Sequence, residues 1–336
     1  MKEEKILLAH GSGGKLSQKL IEEVMRPAFS NPALDEMHDG AKVTVNGAKL
    51  AFTTDSHVVK PLFFAGGDIG KLAVCGTVND LAMTGAKALY LSAGFIIEEG
   101  FPQSDLLRVV DSMRQAAFQA NVTIVTGDTK VVEKGAADGI YINTAGVGAL
   151  IEGVNISPQR ACSGQNIILT GSLGDHAVTI MAERHGLTLP VNITSDCAPL
   201  NGMIEELLYN VPEIAVLRDP TRGGLATVLN EVASQAQAGI IINEMDIPVN
   251  PEVMAVCDML GYDPLYLANE GKAVIFVESV HTDKALAILK QHVYGRNAKV
   301  IGQVTKDPKG QVGLRTLVGG VRLLDMLPGD QLPRIC

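Results

Sequence analysis

Val122-Thr123-Ile124-Val125-Thr126-Gly127-Asp128-Thr129-Lys130 is the stretch on which the fold turns. Its first five residues read as a buried strand that ends on Gly127 and Asp128, an acidic residue with a lysine two positions on. Upstream, Asp105 to Ala120 carries Leu106, Leu107, Val110, Met113 and Ala117 at helical spacing, and Asn121 marks the exit. Ala88 to Ile97 before it reads as a strand, as does Gly139 to Leu150 after it. The same alternation resumes beyond the Gly153, Asn155 and Pro158 breaks, from a strand at Asn166 to Thr170 to a helix at Thr282 to His292. With no G-x-G-x-x-G opener, two α+β domains are favoured over a dinucleotide-binding fold.

A chain of 336 residues has room for two cores. Hydrophobic residues make up 46% and aromatics only 4%, with no Trp, so those cores are aliphatic and rich in Ala and Gly. No run is apolar enough to cross a bilayer and the start lacks a signal-peptide stretch, so a cytoplasmic protein is expected. A net charge of −9 argues against a general nucleic-acid or membrane-surface binder, which needs a basic face. The five cysteines are odd in number and widely spaced, with no C-x-x-C pair for zinc or redox work.

Three carboxylates stand out. Asp55 follows the strand-like Lys49 to Thr54, and Asp128 follows the Val122 strand. Asp80 lies on the helix that begins at Asp68, on the face of Gly76 and Leu72, where a carboxylate is costly without a partner. Hard divalent ions prefer such oxygens and complete their shells with water and phosphate. Glycines in Ala9-His10-Gly11-Ser12-Gly13-Gly14-Lys15, at the start of a helical pattern, let backbone N–H groups approach an anion, although a flexible Gly-rich terminus gives the same letters. Arg218-Asp219-Pro220-Thr221-Arg222-Gly223-Gly224 also opens a helix, as an anion cradle or as ordinary capping. Glu270 is a general base or a loop residue. The final Pro333-Arg334-Ile335-Cys336 reads on its own as a frayed end or as a thiol on a mobile arm.

Together, the His10 to Lys15 loop, Thr53-Thr54-Asp55-Ser56, Asn79-Asp80, Gly127-Asp128-Thr129-Lys130, Asp219 to Gly224, Asn269-Glu270-Gly271-Lys272 and the terminal Pro-Arg-Ile-Cys resemble the HypE family of hydrogenase maturation factors, over essentially the whole chain. The wider superfamily holds aminoimidazole ribonucleotide synthetase, selenophosphate synthetase and thiamine-monophosphate kinase. The resemblance implies an α+β, two-domain aminoimidazole ribonucleotide synthetase-like (PurM-like) fold with a mobile C-terminal tail. Residues 1–152 would bind ATP and dimerise, 153–322 would form a second α+β domain, and 323–336 would be the flexible tail. It also implies a homodimer, a HypF-type carbamoyltransferase that loads Cys336, and a HypC–HypD complex that accepts cyanide for the iron of [NiFe]-hydrogenases.

In that scheme ATP and Mg²⁺ drive dehydration of an S-carbamoyl group on Cys336 to a thiocyanate. Nucleotide contacts are expected from Gly11, Gly13, Gly14, Lys15, Lys71, Asn79, Thr129, Thr221, Arg222, Gly223 and Gly224, and Mg²⁺ ligands from Asp55, Asp80, Asp128 and Asp219. Glu270 would remove the proton, with Lys130 orienting the carbamoyl group or tuning the base, unless the two simply form a salt bridge. Arg334 would offset the terminal carboxylate, which raises the Cys336 thiol. Two rivals are a kinase or synthetase of the same superfamily acting on a free small molecule, and a metal or persulfide carrier using Cys336 alone.

Overall fold

The structure, a computed structural model, describes residues 5–11, 13–187, 193–327, 329, 332 and 334–336. Ser12, Pro328 and Pro333 lie outside the described residues.

A five-stranded sheet runs in the order Ala41–Val45, Ala48–His57, Ile140–Leu150, Ala86–Glu98, Thr123–Val132. Its pairs are antiparallel except the last, a parallel pair joined through the helix Gln103–Gln119 as parallel strands require. The helix Ile69–Met83 lies on one face, capped by Asp68, whose carboxylate accepts the Lys71 N–H at 2.9 Å. Nearly every residue of this helix is buried, because the sheet covers one side and the second half of the chain covers the other. A helix covered on both sides has no polar face to spare, which is why Asn79 and Asp80 interrupt an apolar pattern.

The opposite face of the sheet is uncovered, and Phe52, Tyr90, Ile96, Val125 and Val131 stand exposed there or at its edge. This corrects the reading of Val122 to Thr126 as buried. Its strand, Thr123–Val132, is last in the sheet, pairs among the described residues only with Ala86–Glu98 and exposes most of its residues. The strand also does not stop at Gly127; pairing continues through Gly94 with Asp128 and Ile96 with Lys130. Asp55 likewise sits inside its strand, opposite Thr144, and not past the end.

The second sheet has seven strands in the order Val321–Leu323, Val312–Arg315, Gly239–Asn243, Lys299–Thr305, Gln165–Leu169, Val274–Glu278, Val216–Arg218. The helix Gly224–Ala236 closes an aliphatic core with it through Leu225, Leu229 and Val232. Among the described residues no helix is long and apolar enough to cross a membrane. The two halves share a core: Ala82 and Met83 pack with Ile151, Ile156, Leu200, Met203 and Ile204. Met83 is fully buried there. Met83→Ala should therefore lower stability by about 2–5 kcal/mol and, since both halves line this cluster, leave a single calorimetric transition at lower temperature. Two separated transitions would show that the halves unfold independently.

Candidate active site

Between the two sheets lies a cavity of about 730 Å³, within the range of small-molecule sites. Gly13 and Gly14 line it from the N-terminal loop, Asp55, Gly76 and Asp80 from the first sheet and its helix, and Asp219, Thr221, Arg222 and Glu270 from the second half. Gly76 is needed for space: a Cβ there would sit 3.0 Å from Asp55 Oδ2 and from the His57 ring. Gly13, at φ +85°, brings its backbone against Arg222. The last residue, Cys336, lines the same cavity.

The end of the tail is docked. The Val58 N–H donates to a main-chain carboxylate oxygen of Cys336 at 3.0 Å and the Lys60 N–H to the Arg334 carbonyl at 3.3 Å. Arg334 Nε donates back to the Val58 carbonyl at 2.9 Å, and its other end pairs with Asp138 at 2.6 Å. Leu332 and Ile335 are buried in the apolar core that also holds Ile69 and Leu72 of the helix on the first sheet. Arg334 therefore does not serve the Cys336 thiol as expected; Asp138 holds it. Arg222 is the cation that answers the charge at Cys336: its guanidinium is held above its ordinary pKa most strongly by that residue, against burial and with help from Asp55, Glu270 and Asp80.

Glu270 is fixed through its backbone. Its N–H donates to Asp196 Oδ1 at 3.0 Å, and its carbonyl accepts from Ala198 N at 3.3 Å and Asn79 Nδ2 at 3.4 Å. Its side chain is buried, and among the described residues Oε1 finds no hydrogen-bond partner. Burial first, then repulsion from Asp55, Asp196 and Asp219, pushes this carboxyl well above the usual range. Asp80 is raised in the same way by burial and by Asp219, Asp55 and Asp39, although the Thr53 hydroxyl donates to it at 2.9 Å. Burial carries Asp219 up to about 6.

Hard-cation chemistry fits Asp55, Asp80 and Asp219: oxygen donors on one cavity whose mutual repulsion a divalent ion would relieve. Among the described residues no three His, Cys, Asp or Glu side chains stand close enough together to hold a metal ion by themselves. Asp128 does not join them. It is exposed on the edge strand and pairs with Lys130 at 2.7 Å, so Asp128, Thr129 and Lys130 lie outside the cavity of one chain and the expected Lys130 to Glu270 pairing is not made.

Other expected contacts are also spent elsewhere. Lys15 pairs with Asp325 at 2.6 Å, and Gly11 is exposed away from the cavity. Lys71 donates to the Gly66 carbonyl at 2.8 Å and lines a separate cleft. Asn79 holds backbone, accepting from Leu200 N at 2.7 Å and donating to the Ala198 and Glu270 carbonyls. Gly223 and Gly224, both at positive φ, turn the chain into its helix, and Gly224 packs against the Leu265 and Leu267 carbonyls.

Sequence reasoning missed an ion cluster on the cavity wall. Arg218 meets Asp39 at 2.8 Å and Glu231 at 2.7 Å, joining the first half of the chain to the second. Burial, with Asp219 and Glu231 nearby, lifts Asp39 to about 8 despite the pull of Arg218. Arg218 directly precedes Asp219 in sequence, but nothing in the letters pairs it with a residue far upstream.

Two family models cover most of the chain: the AIR synthase related protein N-terminal domain over residues 37–150 and its C-terminal domain over 163–315. A Cupriavidus necator protein named carbamoyl dehydratase HypE is 49% identical over 100% of this chain and 96% of its own length. The chain belongs to the HypE family. A HypE crystal structure in complex with ATP superposes with a TM-score of 0.84 at 48% identity, covering 99% of this chain and 100% of that one. A HypE–HypF complex gives a TM-score of 0.87 at 50% identity over 92% of this chain and 99% of that one.

The raised Asp39 has a pH signature. Its folded pKa lies above its unfolded value, so its contribution is full below about pH 4 and is lost as pH rises through about 8. Thermal unfolding of the ligand-free protein should show Asp39→Asn gaining on the wild type as pH climbs from about 5 to about 9. A constant difference across that range would place the ionised form of Asp39 in the folded state throughout.

Proposed function

We propose that the cavity is where an S-carbamoyl group on Cys336 is dehydrated to a thiocyanate at the expense of ATP. What carries the reading is that Cys336 lines the same cavity as Glu270, whose Oε1 lacks a donor among the described residues, and Arg222, whose charge Cys336 supports. The relatives named carbamoyl dehydratase and the ATP-bound HypE structure supply the reaction class.

The carbamoyl oxygen attacks the γ-phosphoryl group of ATP and ADP leaves. One N–H proton passes to Glu270, giving an O-phosphorylated imidate. The C–O bond then breaks, the second N–H proton leaves with phosphate, and the nitrile remains on sulfur. Glu270 enters as carboxylate, and its burial makes it the stronger base. Arg222 balances phosphate charge beside the reacting oxygen. Gly13, Gly14 and Thr221 border the space for the phosphates. Asp55, Asp80 and Asp219 would hold Mg²⁺, which when bound neutralises phosphate charge.

A second copy of the chain covers the exposed face of the first sheet. Its apolar side chains, Phe52, Tyr90, Ile96, Val125 and Val131, are the kind that monomers seldom leave in one patch. In the homodimer the Asp128, Thr129 and Lys130 segment reaches a nucleotide site, where Lys130 orients the carbamoyl group. Residues 1–152 carry that interface and much of the ATP site; 153–322 supply Asp219, Arg222 and Glu270, and 323–336 carry the substrate. A HypF-type carbamoyltransferase loads Cys336, as the HypE–HypF complex suggests, and a HypC–HypD complex takes the cyanide. The cytoplasm supplies the ATP. Sedimentation equilibrium checks the pairing: a dimer is expected for the wild type and a monomer for a Phe52→Asp, Val125→Asp double variant, whereas a wild-type monomer contradicts it.

Glu270→Gln keeps the shape and removes the base. Single-turnover dehydration of carbamoylated protein should fall about 100-fold or more, with ATP affinity within a factor of about two and the wild-type rise in rate with pH abolished. Thiocyanate formation at the wild-type rate would remove Glu270 from the mechanism.

A further inference from the structure

His176 takes no part in the chemistry described above, yet it is fully buried at the start of the helix Asp175–His185 with both ring nitrogens engaged. Nε2 lies 2.8 Å from the carbonyl of Ile335, the residue before Cys336, and Nδ1 lies 2.8 Å from Ser195 Oγ. The Ile335 carbonyl can only accept, so Nε2 carries the proton; burial holds the ring below its ordinary pKa, and the neutral ring presents a bare Nδ1. Ser195 must then donate to Nδ1, which leaves its oxygen free to accept from Cys197 N, found at 3.1 Å. The chain of donors runs in one direction, from Cys197 N–H through Ser195 and His176 to the tail.

The segment that starts this chain also sets Glu270. Asp196, between Ser195 and Cys197, accepts the Glu270 N–H at 3.0 Å and an ion pair from Lys272 at 2.9 Å, and Ala198 N–H donates to the Glu270 carbonyl at 3.3 Å. Ser195 to Ala198 thus holds the base on one side and, through His176, the substrate-bearing tail on the other. Other docking bonds come from Val58, Lys60 and Asp138 in the first half of the chain, and from Arg184, on the same helix as His176, whose guanidinium donates to the Arg334 carbonyl. They fix the tail but do not tie it to Glu270.

We infer that His176, oriented by Ser195, is a positioning residue that latches the inserted tail and sets Cys336 in register with Glu270. The inference rests on the proposed function. A histidine that merely filled the core would influence stability alone. A latch controls how long the tail stays in and how well the carbamoyl nitrogen meets the carboxylate, with little effect on ATP.

The test uses full-length carbamoylated protein and follows thiocyanate in the terminal peptide by mass, with ATP affinity and thermal unfolding measured alongside. His176→Leu leaves the Ile335 carbonyl buried without a donor and should slow single-turnover dehydration about 10- to 100-fold. ATP affinity should stay within a factor of about two, and iodoacetamide should reach Cys336 of the unloaded protein faster. His176→Gln, which can again donate to that carbonyl, should recover most of the rate. Ser195→Ala, which frees the ring to take the wrong tautomer, should shift both readouts the same way by a smaller factor, and it decides the matter if the leucine variant does not fold. Wild-type rates and alkylation in the folded variants, or rate losses matched by equal losses of ATP affinity, would overturn the latch. Failure of the wild type itself to form thiocyanate would instead overturn the proposed reaction.

Discussion

Buried negative charge at the seam between the two sheets is the constraint on which the rest depends. Asp39, Asp80, Asp219 and Glu270 are withdrawn from water around one cavity, with Asp55 at its edge, and Arg218 and Arg222 are the cations that answer them. Arg218 is shared between Asp39 and Glu231, which leaves Asp80, Asp219 and Glu270 under-compensated and raised in pKa. Such an arrangement is costly for an empty protein and suited to one that receives a cation and a polyphosphate together. It also leaves Oε1 of Glu270 without a hydrogen-bond partner among the described residues.

The same seam explains why the substrate travels on the chain. A carbamoyl thioester free in solution would have to find a cavity walled by both halves of the protein. Carried on Cys336 it arrives along a track of backbone hydrogen bonds at Val58 and Lys60, with Leu332 and Ile335 buried behind it. Burial of those two side chains helps offset the entropy of ordering the tail. Arg334, turned to φ +55°, spans Val58 and Asp138 and so fixes where the final residue falls.

Much of this was legible in the letters. Alternating periods gave two α+β halves, and Asp55, Asp80, Asp219, Arg222, Glu270 and Cys336, singled out from short motifs, line one cavity. What failed did so for identifiable reasons. Val122 to Thr126 has the composition of a buried strand, but its place at the sheet edge, beside an uncovered face, is a property of the whole topology. Lys15 and Lys71 look like phosphate ligands because they follow glycines or share a helix with Asp80, yet each has a nearer oxygen in Asp325 or Gly66. Asn79 supports the backbone of the base and does not touch the cavity. The Arg218 cluster and the His176 contact join residues remote in sequence and offer no local signal.

The central claim is that Cys336 is the carrier on which the reaction occurs and that ATP is needed for it. Intact-mass spectrometry of the carbamoylated protein, with and without Mg-ATP, addresses this directly. Loss of one water is expected, only when Mg-ATP is present, and confined to the terminal peptide that contains Cys336. ATP hydrolysis with the carbamoyl mass unchanged, or a water lost from any other peptide, would contradict it.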